Sequence, residues 1–160
     1  MTSRPLRRAV VALGSNIEPE RWVPWAIARL QARFRDVLVS TAYRAAAVGP
    51  PGQPPFVNAV VVLATDLPLP ALRAALRHLE ALAGRTRSED RFAPRTLDLD
   101  VIALSGPRGD EHLDHAETDV AHVVVPWADV EPDRRLRDGG RTLAERAAPL
   151  RDRLSAFTPS

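Results

Sequence analysis

Apolar residues fall in short runs whose period changes along the chain, and the changes mark out the elements. Residues 9–13 form a continuous apolar run of strand length, ended by Gly14-Ser15-Asn16. From Trp22 the apolar positions Trp25, Ala26, Leu30 and Phe34 recur at helical spacing. Residues 37–39, with flanking residues 40–43, read as a second strand, and residues 45–55 are rich in Pro and Gly and read as a loop. Residues 57–63 are β-branched and strand-like. Leu72, Leu76, Leu79 and Leu82 make one stripe along a helix predicted over residues 69–82, with Gly84 as its stop. Residues 85–94 are polar and Arg-rich, and residues 97–104 alternate apolar and acidic positions as a strand does. Past Ser105 the pattern weakens: Val123-Val124-Val125 runs into Pro126, and a helix over 142–154 is interrupted by Pro149.

The order β-α-β-β-α-β predicts an α+β, ferredoxin-like βαββαβ sandwich in a single domain over residues 1–160. Its antiparallel sheet would carry both long helices on one face, with a C-terminal extension. The other face, with loops 45–55 and 85–94 above it, is expected to stand open for a ligand.

Composition narrows the chemistry. No stretch approaches the ~20 apolar residues of a membrane helix, and the first apolar run is too short for a signal peptide. A cytoplasmic protein without membrane partners is the expectation. There is no Cys, hence no thiol nucleophile and no thiolate zinc site. All 22 basic residues are Arg, which rules out a lysine Schiff base and a P-loop lysine. The net charge is only +2 against 20 acidic residues, so the Arg count does not argue for nucleic acid.

Residues 91–102, Arg-Phe-Ala-Pro-Arg-Thr-Leu-Asp-Leu-Asp-Val-Ile, carry the most chemistry. On a strand, Asp98 and Asp100 share one face while Leu97, Leu99 and Val101 point to the core. Such a pair is either a solvated strand face or a seat for Mg²⁺, a hard ion that prefers oxygen ligands. Arg85, Arg87, Arg91 and Arg95 lie just upstream. They are either salt-bridged surface, with Glu89 and Asp90 as partners, or bidentate phosphate binders. Acid pair and arginines together suit phosphoryl or pyrophosphoryl transfer.

This segment resembles the signature of the 6-hydroxymethyl-7,8-dihydropterin pyrophosphokinases of the folate pathway. Ala12-Leu13-Gly14-Ser15-Asn16, Tyr43-Arg44, Phe56-Val57-Asn58-Ala59, Glu80 and Gly84-Arg85-Thr86-Arg87 follow in the family's order, so the resemblance spans about residues 9–104. It implies pyrophosphate transfer from ATP to the dihydropterin hydroxymethyl group by a monomer, with two Mg²⁺ ions on Asp98 and Asp100. Arg85 and Arg95 would act on the transferring phosphoryl group and departing AMP. Glu80, Arg87, Phe92 and His115 would contact the nucleotide. Phe56 and Phe92 would flank the pterin, Asn58 would hydrogen-bond its edge, and backbone of Ala45 and Val48 would read the rest.

Beyond Leu104 the chain departs from the family's pattern. The usual Pro-His pair falls on Asp114-His115, an expected Arg on Val120, and an expected Phe wall of the pterin site on His122. A neutral imidazole can still stack there. The competing class is a relative of the same fold that binds pterin or nucleotide without turnover.

Overall fold

The computed structural model describes residues 5–45, 52, 54–84, 96–106, 109–114, 117–136 and 140–157. Strand β1 (Arg7–Ser15) leads into helix α1 (Pro19–Arg33), then β2 (Arg35–Val39), β3 (Tyr43–Ala45) and β4 (Phe56–Thr65). Helix α2 (Leu69–Leu82) precedes β5 (Asp98–Gly106) and β6 (Gly109–Leu113). The chain ends with α3 (Ala121–Val130), α4 (Leu143–Ala147), a 3₁₀ helix (Ala148–Arg153) and β7 (Ser155–Ala156). No helix among the described residues is long and apolar enough to cross a membrane.

All the ladders are antiparallel, in the order β6-β5-β1-β4-β3-β7, with β2 also on β4. The α+β expectation therefore holds, with one refinement at the second strand. The predicted run 37–43 is broken into β2 and β3, which pair with β4 at successive positions. Ser40 sits at the break, where its Oγ accepts from the Val60 N–H at 2.9 Å.

Alternation sorts each central strand between two cores. Ala9, Val11 and Leu13 of β1, with Val57, Val61 and Leu63 of β4, meet Val23, Ala26 and Leu30 of α1 and Leu72, Leu76 and Leu79 of α2. The α2 stripe lies where its 3.6 period puts it, and Gly84, at φ 77°, ends the helix in the left-handed conformation that glycine tolerates. Val10, Val60, Val62 and Ile102 point the other way, onto Val123, Val124 and Trp127 of α3 and Leu143 and Ala147 of α4.

The expectation of a second face open for a ligand is thus corrected for one half of it, which the C-terminal extension covers. The run 123–125 is part of a helix with Pro126 inside it, and Val123, Val124, Val125, Pro126, Trp127 and Ala128 are all buried. A helix apolar on every side has no stripe to betray its period. The 142–154 segment divides near Pro149 as expected, into α4 and the 3₁₀ turn, and α4 opens on a Thr142–Glu145 capping box.

Candidate active site

The half of that face that the C-terminal helices leave clear starts from one row of cross-strand partners. Tyr43 lies opposite Asn58, Asn58 opposite Gly14, and Gly14 opposite Asp98. In the neighbouring rows Ala45 partners Phe56, and Ala12 lies between Val60 and Asp100. Directly opposed residues of antiparallel strands share a face. Tyr43, Phe56, Asn58, Asp98 and Asp100 therefore lie on the side that α3 covers farther along.

Gly14 is the floor of this row. A Cβ built there would stand 3.0 Å from Asn58 Oδ1 and 3.8 Å from Phe56 Cδ1, so amide and ring converge over the glycine. Asn58 is 8% exposed, and its Nδ2 is buried without a hydrogen-bond partner among the described residues. An unpaired buried donor costs about 1–3 kcal/mol, so the amide presents an unmet requirement toward whatever enters beside it. At the turn after β1, the buried Asn16 donates through Nδ2 to the Pro54 carbonyl at 3.4 Å, tying down the approach to Phe56.

On the other side of Gly14, Asp98 is half-buried and Asp100 exposed, while Leu97, Leu99 and Val101 are buried as their alternation requires. A cleft of about 180 Å³ runs between α2 and the edge of β5, lined by Arg73, Arg77, Glu80, Asp98, Asp100 and Asp114. Glu80 is buried at 3% exposure and accepts from the Leu99 N–H through Oε2 at 2.8 Å, which fastens α2 to β5. Asp114 is drawn to the same strand by its N–H donating to the Ile102 carbonyl at 2.8 Å. Burial, followed by the negative charges of Asp114 and Asp98, raises the Glu117 pKa. The cleft is therefore acidic, with two guanidiniums on its rim. A larger cavity of about 740 Å³ at the opposite end of the sheet, beside Leu6, Phe34 and Leu67, gathers none of these groups.

Asp98 and Asp100 supply hard oxygen donors, which fit Mg²⁺. Among the described residues no three acidic or imidazole side chains form a ligand set by themselves. A cation on this pair would complete its shell from phosphates and water, as Mg²⁺ commonly does.

Of the residues singled out from the sequence, the fold brings Ala45, Phe56, Asn58, Glu80, Asp98 and Asp100 to one end of the sheet. His122 is half-buried in the first turn of α3, and burial lowers its imidazole pKa. No hydrogen bond among the described residues joins it to Asn58. Val48, Arg85, Arg87, Phe92, Arg95 and His115 lie outside the described residues. Sequence reading missed Arg73 and Arg77 as cleft residues, although their four-residue spacing puts them on one side of α2 with Glu80. It also missed Asp114 and Glu117 as neighbours of Asp98, for which the sequence carries no signal.

Comparison with known proteins points one way. A family model described as 7,8-dihydro-6-hydroxymethylpterin-pyrophosphokinase (HPPK) matches residues 10–132. A Pseudomonas aeruginosa protein named 2-amino-4-hydroxy-6-hydroxymethyldihydropteridine pyrophosphokinase is 39% identical over 145 residues, covering 84% of this chain and 86% of its own. A Methylorubrum extorquens protein of the same name is 37% identical over 152 residues, covering 91% of this chain and 94% of its own. A crystal structure of Plasmodium falciparum HPPK-DHPS with pterin and p-hydroxybenzoate superposes with a TM-score of 0.64 at 11% identity. It covers 96% of this chain but only 44% of that one, and at such low identity the likeness speaks for the fold alone.

Proposed function

The chain belongs to the 7,8-dihydro-6-hydroxymethylpterin-pyrophosphokinase family, and from that premise we propose its reaction. It transfers pyrophosphate from ATP to the hydroxymethyl oxygen of 6-hydroxymethyl-7,8-dihydropterin, releasing AMP, in the folate pathway. The observation that carries this reading is the row Asn58–Gly14–Asp98, which sets a buried, unpartnered amide and an acidic edge on either side of a bare floor.

Each half of the row has its own task. Asn58 carries both a donor and an acceptor and would pair with the pterin edge, meeting the need of Nδ2. Phe56 would lie against the ring, whose quadrupole favours offset or edge contacts. Backbone of Ala45, opposite Phe56, and of Val48 would read the remaining ring atoms. Asp98 and Asp100 would hold two Mg²⁺ ions, which would supply charge neutralisation for the phosphates when bound. Glu80, Arg87, Phe92 and His115 would hold the nucleotide. His122, kept neutral by burial, would close on the pterin from the α3 side.

The substrate oxygen attacks the β-phosphorus directly. Its bond to phosphorus forms as the bond from phosphorus to the departing AMP oxygen breaks, and the hydroxyl proton leaves to solvent. No side chain need become covalently attached, so positioning and charge neutralisation carry the rate. Arg85 and Arg95 would meet charge on the transferring group and on AMP, which assigns them mainly to kcat.

The direct test incubates the purified chain with ATP, Mg²⁺ and 6-hydroxymethyl-7,8-dihydropterin and separates the adenine nucleotides. AMP and the dihydropterin diphosphate are expected in equal amounts. ADP in place of AMP would overturn the assignment.

A further inference from the structure

We propose that Tyr43, Asp129 and Arg151 form a positioning relay through which the C-terminal segment holds the pterin side of the site. The inference rests on the functional reading above, and it concerns residues to which that reading gives no substrate contact.

The argument begins with β3. It has three residues, Tyr43–Ala45, and those three stand opposite Asn58, Val57 and Phe56. So short a ladder supplies few bonds of its own, yet its place decides what flanks Asn58 and Phe56. Among the described residues its other edge is paired by β7 alone, itself two residues long. The position of β3 therefore depends on what grips it from outside the ladder.

Contacts from the C-terminal part of the chain do so. The Tyr43 hydroxyl donates to Asp129 Oδ2 on α3, and Arg151 Nη2 donates to Asp129 Oδ1 at 3.1 Å. The Phe157 N–H donates to the Ala42 carbonyl at 2.8 Å, and the Arg44 guanidinium lies 5.3 Å from the centre of the Phe157 ring. Burial and the Asp129 carboxylate both raise the Tyr43 pKa, so the phenol remains a donor at neutral pH. Arg151 and Phe157 lie beyond residue 132, where the family match ends.

Asn58 is the group most exposed to a loosened β3. Its Nδ2 has no partner among the described residues to hold it, so its amide is placed by its neighbours: Gly14 on one side and the Tyr43 side chain, directly opposite, on the other. Asp98 and Asp100 are three strands away from Tyr43, with β4 and β1 between, and are fastened separately, through Glu80 and Leu99. Releasing the relay should therefore reach the pterin and not the nucleotide.

The experiment compares Tyr43→Phe, Asp129→Asn and their double variant with the parent chain, measuring KM for each substrate and kcat. Tyr43→Phe keeps the ring and removes one hydrogen bond, so pterin KM should rise roughly three- to tenfold. KM for ATP and kcat should stay unchanged. The double variant should be no worse than the poorer single variant, because both break one link. If Tyr43→Phe does not fold, Arg151→Met, on the exposed 3₁₀ turn, replaces it and should act in the same direction. Unchanged pterin KM, equal loss of both affinities or additive losses would each overturn the relay. If the parent chain makes no AMP the functional reading fails instead. Amide exchange then tests the relay alone: Tyr43→Phe should speed exchange in β3 and leave β1 unaltered, and equal rates in β3 would overturn it.

Discussion

One face of one sheet behaves in two opposite ways. At one end Val10, Val62 and Ile102 are at most 1% exposed beneath α3. Four residues along β1 and β5, about 13 Å at strand rise, Gly14 partners Asp98, which lines a polar cleft that α3 does not reach. The strands and their pairing continue through both halves, apart from one register shift between Val10 and Val11. What changes is the side chain at every second position, and with it whether a helix can be bound there. Burying Asp98 and Asp100 under α3 would strand two carboxylates, whereas leaving Ile102 and Val62 open would expose apolar surface. The difference teaches that the roof and the cleft are consequences of the same alternation.

This division can be broken from either end. The largest effect should come from the roofed half, where Trp127→Ala removes a fully buried ring and should cost about 3–5 kcal/mol of unfolding free energy. Its kcat at a temperature where it is folded should stay near that of the parent, as chemical denaturation paired with kinetics will show. Next, Asp98→Ala or Asp100→Ala in the open half should lower turnover by a factor on the order of 10²–10³, with little change in Tm. A variant that kept full rate at saturating Mg²⁺ would refute the metal assignment.

Gly14→Ala sits at the floor of the open half and sharpens the contrast. The new methyl would press on Asn58 Oδ1, 3.0 Å away, so pterin affinity should fall by about tenfold, within the ~1–3 kcal/mol cost of overpacking. ATP affinity should change less, which titration of each substrate alone would establish. The smallest effect belongs to His122, near the start of the roof. Burial lowers its folded pKa below the unfolded value near 6.5. Its contribution to stability is therefore complete above about pH 6.5 and is lost as pH falls through the lower folded pKa. Tm should drop on acidification through that window, and His122→Phe should flatten the decline.

Much of this arrangement was readable along the chain. The α2 limits, Leu69–Leu82, coincide with the predicted ones because a single leucine stripe has one period and a glycine stop. Asp98 and Asp100 share a face because alternation on a strand admits nothing else. α3 was hidden, since residues 123–128 are buried on every side and show no period at all. Glu80 could be read as a solvated helix residue, yet it spends an oxygen on the Leu99 N–H across the α2–β5 gap.

The order of strands and helices, the two-faced division of β1, β4 and β5, and the acid pair with its upstream arginines were set by residue type and local spacing. Those depend on 2.0 and 3.6 residue periods, which any reader of the chain can count. That α3 covers only the apolar half, that Asn58 is left with an unpartnered amide above Gly14, and that Tyr43 reaches Asp129 and Arg151 were decided by the tertiary structure alone. The physical reason is range. Tyr43 and Asp129 are 86 residues apart, and a contact at that separation exists only once strand register and helix packing have both been chosen.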